Sequence, residues 1–126
     1  SRWEITPRIT QDDLGGGEAL LAGALGNIGV LHRADATAAD YLLLGKLAGK
    51  ELNTADGWYW LRGVLTVSLQ DRNSERIIGT YQWFFKVSSR QADLVKIRAR
   101  SYLAAVLDRE LLEVLTGFGS GQKESD

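Results

Sequence analysis

A single histidine, His32, and no cysteine narrow the chemistry open to this chain. Thiol catalysis, disulfides, Cys-ligated zinc or iron–sulfur centres and any two-histidine mechanism are excluded within it. His32 stands beside Arg33, and a general base or metal ligand would need an orienting carboxylate. Asp35 is near only in sequence, so His32 reads as a surface or structural residue. Asp108, Glu110 and Glu113 could supply the paired carboxylates of acid–base or glycosidase chemistry. Arg109 stands among them, and Lys96, Arg98 and Arg100 precede them, the charge pattern of a solvated helix face with ion pairs. The run Gly15-Gly16-Gly17-Glu18 invites a phosphate loop. It lacks the Gly-Lys-Ser/Thr ending, and Asp12, Asp13 and Glu18 would repel a phosphate; a plain connection is expected. No catalytic constellation, metal site or cofactor follows, and the chain reads as no enzyme.

What remains is an aromatic and cationic pattern. From Trp58 to Leu69, Tyr59, Leu61, Gly63, Leu65, Val67 and Leu69 share one face of a strand, and Trp58, Trp60, Arg62, Val64, Thr66 and Ser68 the other. From Ile77 to Val87 the alternation returns, with Ile77, Gly79, Tyr81, Trp83, Phe85 and Val87 on one face and Ile78, Thr80, Gln82, Phe84 and Lys86 on the other. The polar stretch Gln70 to Arg76 joins the two as a hairpin. Matching the apolar faces places Leu69 opposite Ile77, Leu65 opposite Tyr81 and Gly63 opposite Trp83. The outer face then pairs Trp60 with Lys86 and Arg62 with Phe84. Trp58, Trp60, Arg62, Phe84 and Lys86 are the candidate partner-binding residues, because exposed aromatics beside Arg or Lys form docking patches. The competing expectation is that the first helix packs on this face and buries the sheet from both sides.

The elements that must position these residues follow from periodicity. Trp3 to Ile9 alternates as a strand, and Pro7, which cannot donate a ladder hydrogen bond, argues for an edge. Asp12 and Asp13 precede a helix from about Glu18 to Leu25 that Gly26 is expected to end. Ile28 to His32 is expected to be a short strand, and Ala34 to Asp40 a connection. Tyr41 to Leu52 is a strand buried on both faces near its start. After the turn signal Asn53 to Gly57 comes the hairpin. The last element, from about Arg90 to Thr116, carries Val95, Ala99, Leu103, Val106, Leu107, Leu111, Val114 and Leu115 at helical steps. Ser88 or Ser89 would cap it and Gly117 and Gly119 end it. It would be about 40 Å long and would cover the hairpin.

The 126 residues suffice for one domain with its own core, expected over residues 1–117 with a flexible tail over 118–126. With 15 Lys+Arg, 16 Asp+Glu and a net charge of −1, there is no global basic field for nucleic acid. No apolar run approaches the roughly 20 residues of a membrane helix. A chain that starts at Ser1 and contains no methionine is expected to be a processed product or an excised domain, with any signal or lipid-attachment segment upstream.

The segment Ala39-Asp40-Tyr41-Leu42-Leu43-Leu44-Gly45-Lys46-Leu47, the long hairpin with Leu69-x-Asp71 at its tip, and Trp83 on its return resemble a bacterial envelope family. It is the small α/β domain shared by the lipoprotein activators of penicillin-binding proteins (the LpoB type), the curli-secretion lipoprotein CsgG and the N-terminal domain of TolB. Val30-Leu31-His32-Arg33 matches the short strand that precedes it, and the resemblance spans about residues 18 to 88. The tip, Asp71-Arg72-Asn73-Ser74-Glu75-Arg76, has no glycine, and Asn73 is expected to take the left-handed position. The resemblance implies a non-enzymatic periplasmic domain, often lipid-tethered to the outer membrane, that works by docking to an envelope protein such as a peptidoglycan synthase or secretion machinery.

The expected fold is thus an α+β two-layer sandwich: a mainly antiparallel sheet with a long hairpin, one N-terminal helix and one long C-terminal helix. The expected function is an adaptor or activator, with no nucleic acid partner and membrane contact only through a tether outside this chain. The alternative is a small-molecule or lipid carrier holding an apolar ligand between sheet and helix.

Overall fold

An apolar run and two alternating segments produce three strands of equal length, and both helices pack on one side of the sheet they form. The computed structural model describes residues 4–32 and 39–124. In chain order the elements are β1 (Glu4–Asp12), α1 (Gly17–Asn27), β2 (Leu31–His32), β3 (Tyr41–Asn53), β4 (Tyr59–Asp71), β5 (Ile77–Ser89) and α2 (Ala92–Glu124). The five-stranded sheet has the order β2-β1-β3-β4-β5. Its three long strands are antiparallel, whereas β1 runs parallel to both β2 and β3. The α+β two-layer expectation holds, with antiparallel pairing across the hairpin half of the sheet.

β1 is not the edge strand expected from Pro7. Its first residues lie between β2 and β3, but β2 pairs only with Glu4 and Ile5. Pro7 falls beyond that pairing and opposite Leu43 of β3, where among the described residues no strand pairs with its other side and a missing N–H costs little.

α1 packs against β1 and β3, α2 against β4 and β5, and the helices touch each other. Between the layers lie Leu21 and Leu25 of α1, Leu43, Leu47, Leu61 and Leu65 of the sheet, and Leu103, Leu107, Leu111 and Leu115 of α2, all buried. Near its start β3 is buried on both faces, at Leu42 and Leu43, as its unbroken apolar run implies. α1 runs past Gly26 to Asn27; the glycine that ends it is Gly29, at φ 79°, a left-handed conformation that side chains other than glycine adopt at a cost. α2 likewise runs through Gly117 and Gly119 to Glu124. Ser89 does not cap a helical amide: its hydroxyl accepts from the Gln91 N–H, 3.1 Å away, just before α2.

The hairpin keeps the expected faces but not the expected register. β4 continues to Asp71, and Gln70 pairs with Ile77 while Leu69 pairs with Gly79, leaving Ile78 as an extra residue. This bulge shifts the main ladder by two residues: Leu65 meets Trp83 and Gly63 meets Phe85. A two-residue shift preserves which side chains face the core. It does exchange the strand's first two isoleucines, since Ile77 is 47% exposed and Ile78 packs on the core. At the tip, Glu75 rather than Asn73 takes the left-handed position, at φ 61°. The Asp71 carboxylate accepts the Ser74 and Asn73 amides, each at 2.9 Å. Those bonds, from Ser74 above all, hold its pKa below the ordinary carboxylate value.

Gly63 is the tightest point of the sheet. A Cβ there would collide with the Ala48 carbonyl oxygen and lie 2.7 Å from the Phe85 ring, so the ring of the facing residue occupies the space a side chain would take. The expected outcome for Gly63→Ala is a loss of about 2–3 kcal/mol in urea unfolding, because a backbone atom cannot yield as a flexible side chain can. A variant as stable as the parent would show that β3 and β4 are further apart than described.

Candidate functional site

Both helices lie on one side of the sheet, and the opposite face, buried at Thr6 and Leu42, is open over β3–β5 around Lys50, Arg62, Phe84 and Lys86. The expectation that α1 packs there is not met; α1 shares the core with α2. On this outer face the register builds rows across β3, β4 and β5. Leu52, Trp60 and Ser88 form one, Lys50, Arg62 and Lys86 the next, and Ala48, Val64 and Phe84 the third. The sequence-derived pairs therefore change. Trp60 faces Ser88 rather than Lys86, and Arg62 faces Lys86 rather than Phe84. The Lys86 ammonium still lies 4.9 Å from the Trp60 ring centroid, because diagonal neighbours on a sheet remain within reach of long side chains. Trp58, just before β4, is covered by Arg90 at 4.9 Å.

All five candidate residues thus lie in and beside one patch. Phe84 is the most open of them, at 70% exposure, while its neighbour Phe85 on the opposite face is at 5%. An open groove of about 500 Å³ runs over the sheet here, lined by Ala48, Val64 and Phe84, by the cations Lys50, Arg62 and Lys86, and by Asp13 at its side. Sequence reasoning missed Lys50, Ala48 and Asp13. Only the β3–β4 register reveals Lys50 and Ala48, and Asp13 is placed by its carboxylate, which accepts the Gly49 N–H at 3.0 Å.

The cation row is an electrostatic conflict. Strands lie about 4.8 Å apart, and two unit charges at that spacing repel by about 0.8 kcal/mol even in bulk water. Among the described residues none of the three makes an ion pair. Lys86 gains roughly 0.5–1 kcal/mol from Trp60, enough to offset one neighbour. Arg62, with a cation on each side, has no such aromatic contact.

Several of the other sequence candidates make structural contacts. Asp12 accepts the Gly15 and Gly17 amides at 2.8 and 2.9 Å, so the amides of the glycine run are turned to a carboxylate and not to a phosphate. Glu110 accepts the Trp83 indole N–H at 3.0 Å, and Asp108 accepts from Asn27 at 3.0 Å. Lys96 lies 3.9 Å from Glu51, Arg98 donates to the Ser88 carbonyl and Arg100 to that of Leu14. These three basic residues are dispersed over different contacts. His32 pairs with Ile5 in β2; its side chain and Asp35 lie outside the described residues. Among the described residues no cluster of metal-ligating side chains occurs, and no helix is long and apolar enough to cross a membrane.

No family model matches this sequence, and no curated protein matches it significantly. Solved structures share its fold. A minor lipoprotein from Acinetobacter baumannii is 20% identical, with 97% of this chain and 94% of that one covered and a TM-score of 0.55. PelC from Paraburkholderia phytofirmans, a dodecamer, is 18% identical, covers 85% and 86%, and has a TM-score of 0.61. A lipoprotein from Neisseria meningitidis is 9% identical over 84% and 98%, with a TM-score of 0.53. The fold is therefore one found in bacterial lipoproteins, which bears out the resemblance read from the sequence.

The two faces of β5 make opposite demands on stability. Phe85→Ala is expected to cost about 3–5 kcal/mol, as for other buried aromatic truncations, and Phe84→Ala less than about 0.5 kcal/mol, both by thermal or urea melts. A large loss for Phe84→Ala would mean that its ring is core and not surface.

Proposed function

We propose that this chain is a non-enzymatic interaction domain of the bacterial envelope, an adaptor or activator that docks a protein partner on the outer face of its sheet. The observation that carries this is the open, aromatic and unpaired cationic face around Phe84 and Arg62. A protein that kept such a face only for stability would cover it or pair its charges. The fold's occurrence in lipoproteins supports a site on the periplasmic side, held near a membrane by a tether. The dodecameric assembly of PelC is a precedent for this fold working by protein contacts. The space between sheet and helices is filled by Leu43, Leu65, Leu103 and Leu107, each fully buried, which favours docking over a carrier with an apolar ligand inside.

A photo-crosslinking residue placed at Phe84 is expected to yield a discrete protein adduct in the native host, abolished by Trp60→Ala. The same residue at Tyr102, exposed on α2, should not yield it. Equal adducts from both positions, or none from Phe84, would overturn the assignment of the outer face.

A further inference from the structure

Lys50, Arg62 and Lys86 stand directly opposite one another across three strands, with no acidic partner among the described residues, in a chain whose net charge is −1. We infer that the outer face receives the acidic side of an amphipathic helix from a protein partner. This rests on the docking function proposed above and specifies the partner's chemistry.

Charge supplies the first reason. Like charges facing each other across a sheet are destabilising, and an incoming row of carboxylates turns that repulsion into attraction. Asp13 is the one acid lining the groove, and its Oδ2 is held by the Gly49 amide and the Gln11 side chain. Glu51 alternates to the other face and lies beside Lys96.

Spacing supplies the second. The backbone positions that carry the cations recur about every 4.8 Å along a line perpendicular to the strands. Carboxylates at positions i and i+4 of a helix have Cβ atoms about 5–6 Å apart, close to that repeat. In an extended segment, side chains on one face recur only every ~6.8 Å. A helix lying across the strands therefore brings successive acids over Lys50, Arg62 and Lys86.

The apolar rows supply the third. Those on either side of the cations, Leu52 with Trp60 and Ala48 with Val64 and Phe84, receive the leucine-type residues that flank an acidic stripe. The groove is shallow and open with an apolar floor, which offers the leucine side of a helix a strip to lie on.

The test uses the intact chain and three synthetic helical peptides of about 20 residues, identical except that a stripe at i, i+4 and i+7 between leucines is Glu, Gln or Lys. The Glu peptide is expected to bind in fluorescence anisotropy, at least about tenfold more weakly to Arg62→Glu or Lys86→Glu and progressively less as salt is raised. The Lys peptide should prefer the Glu variants. Circular dichroism confirms that both variants fold; with two variants, one misfolded protein does not remove the test. If all three peptides bind alike and Phe84→Ala abolishes binding, the acidic partner is refuted while the docking face stands. If no peptide binds, the inference falls. Sedimentation with phosphatidylglycerol vesicles that is lost in Arg62→Glu, without peptide binding, refutes the docking function as well and makes the face a membrane surface.

Discussion

The close approach of β3, β4 and β5 at Gly49, Gly63 and Phe85 governs the rest of this structure. Those residues form one cross-strand row. With no side chain at position 63, the Phe85 ring lies over the strand and meets Leu-rich α2 side chains in the same core. Once that row is set, alternation fixes every other. Leu47, Leu65 and Trp83 face the helices in one adjoining row, with Glu110 completing the indole's hydrogen bonding. The outer rows are their obligatory counterparts. The candidate site is therefore a consequence of how the core closes.

This dependence explains what could be read in the sequence. The parity of the hairpin residues is local, since each strand declares its own apolar face, so Trp60, Arg62, Phe84 and Lys86 were assignable to a single surface. The register is not local. It turns on a bulge at Ile78, and no residue type there announces one; matching Leu69 to Ile77 was the simplest alignment and left the ladder two residues out. Lys50 was illegible for the same reason, because its place beside Arg62 depends on how a separate strand aligns with β4. The parallel placement of β1 beside β3 depends on pairing across more than thirty residues of chain, and Pro7 pointed to an edge that the two-residue β2 only partly covers.

Helix ends failed differently. Gly26, Gly117 and Gly119 were expected to stop helices because glycine weakens them by about 1 kcal/mol each. Leu25 and Leu115, both buried in the core, anchor the adjacent turns by roughly 1.5–3 kcal/mol each. Tertiary burial exceeded local propensity at Gly26 and Gly117, where a buried leucine stood within two residues of the glycine. Gly29 ends α1 instead, beyond the last of the buried leucines.

The same comparison of magnitudes applies to the cations. Each neighbouring pair in the row Lys50, Arg62 and Lys86 opposes folding by at most about 0.8 kcal/mol, partly relieved at Lys86 by Trp60. The backbone that carries them is pinned on its other face by Leu61 at 1% and Phe85 at 5% exposure, and each such burial contributes roughly 1.5–3 kcal/mol. The inner face thus supplies more stability than the outer row removes, and the strands stay paired beneath the three cations. With both helices on one side, the inner face stabilises the fold, while the outer face over β3–β5 keeps Lys50, Arg62, Phe84 and Lys86 exposed.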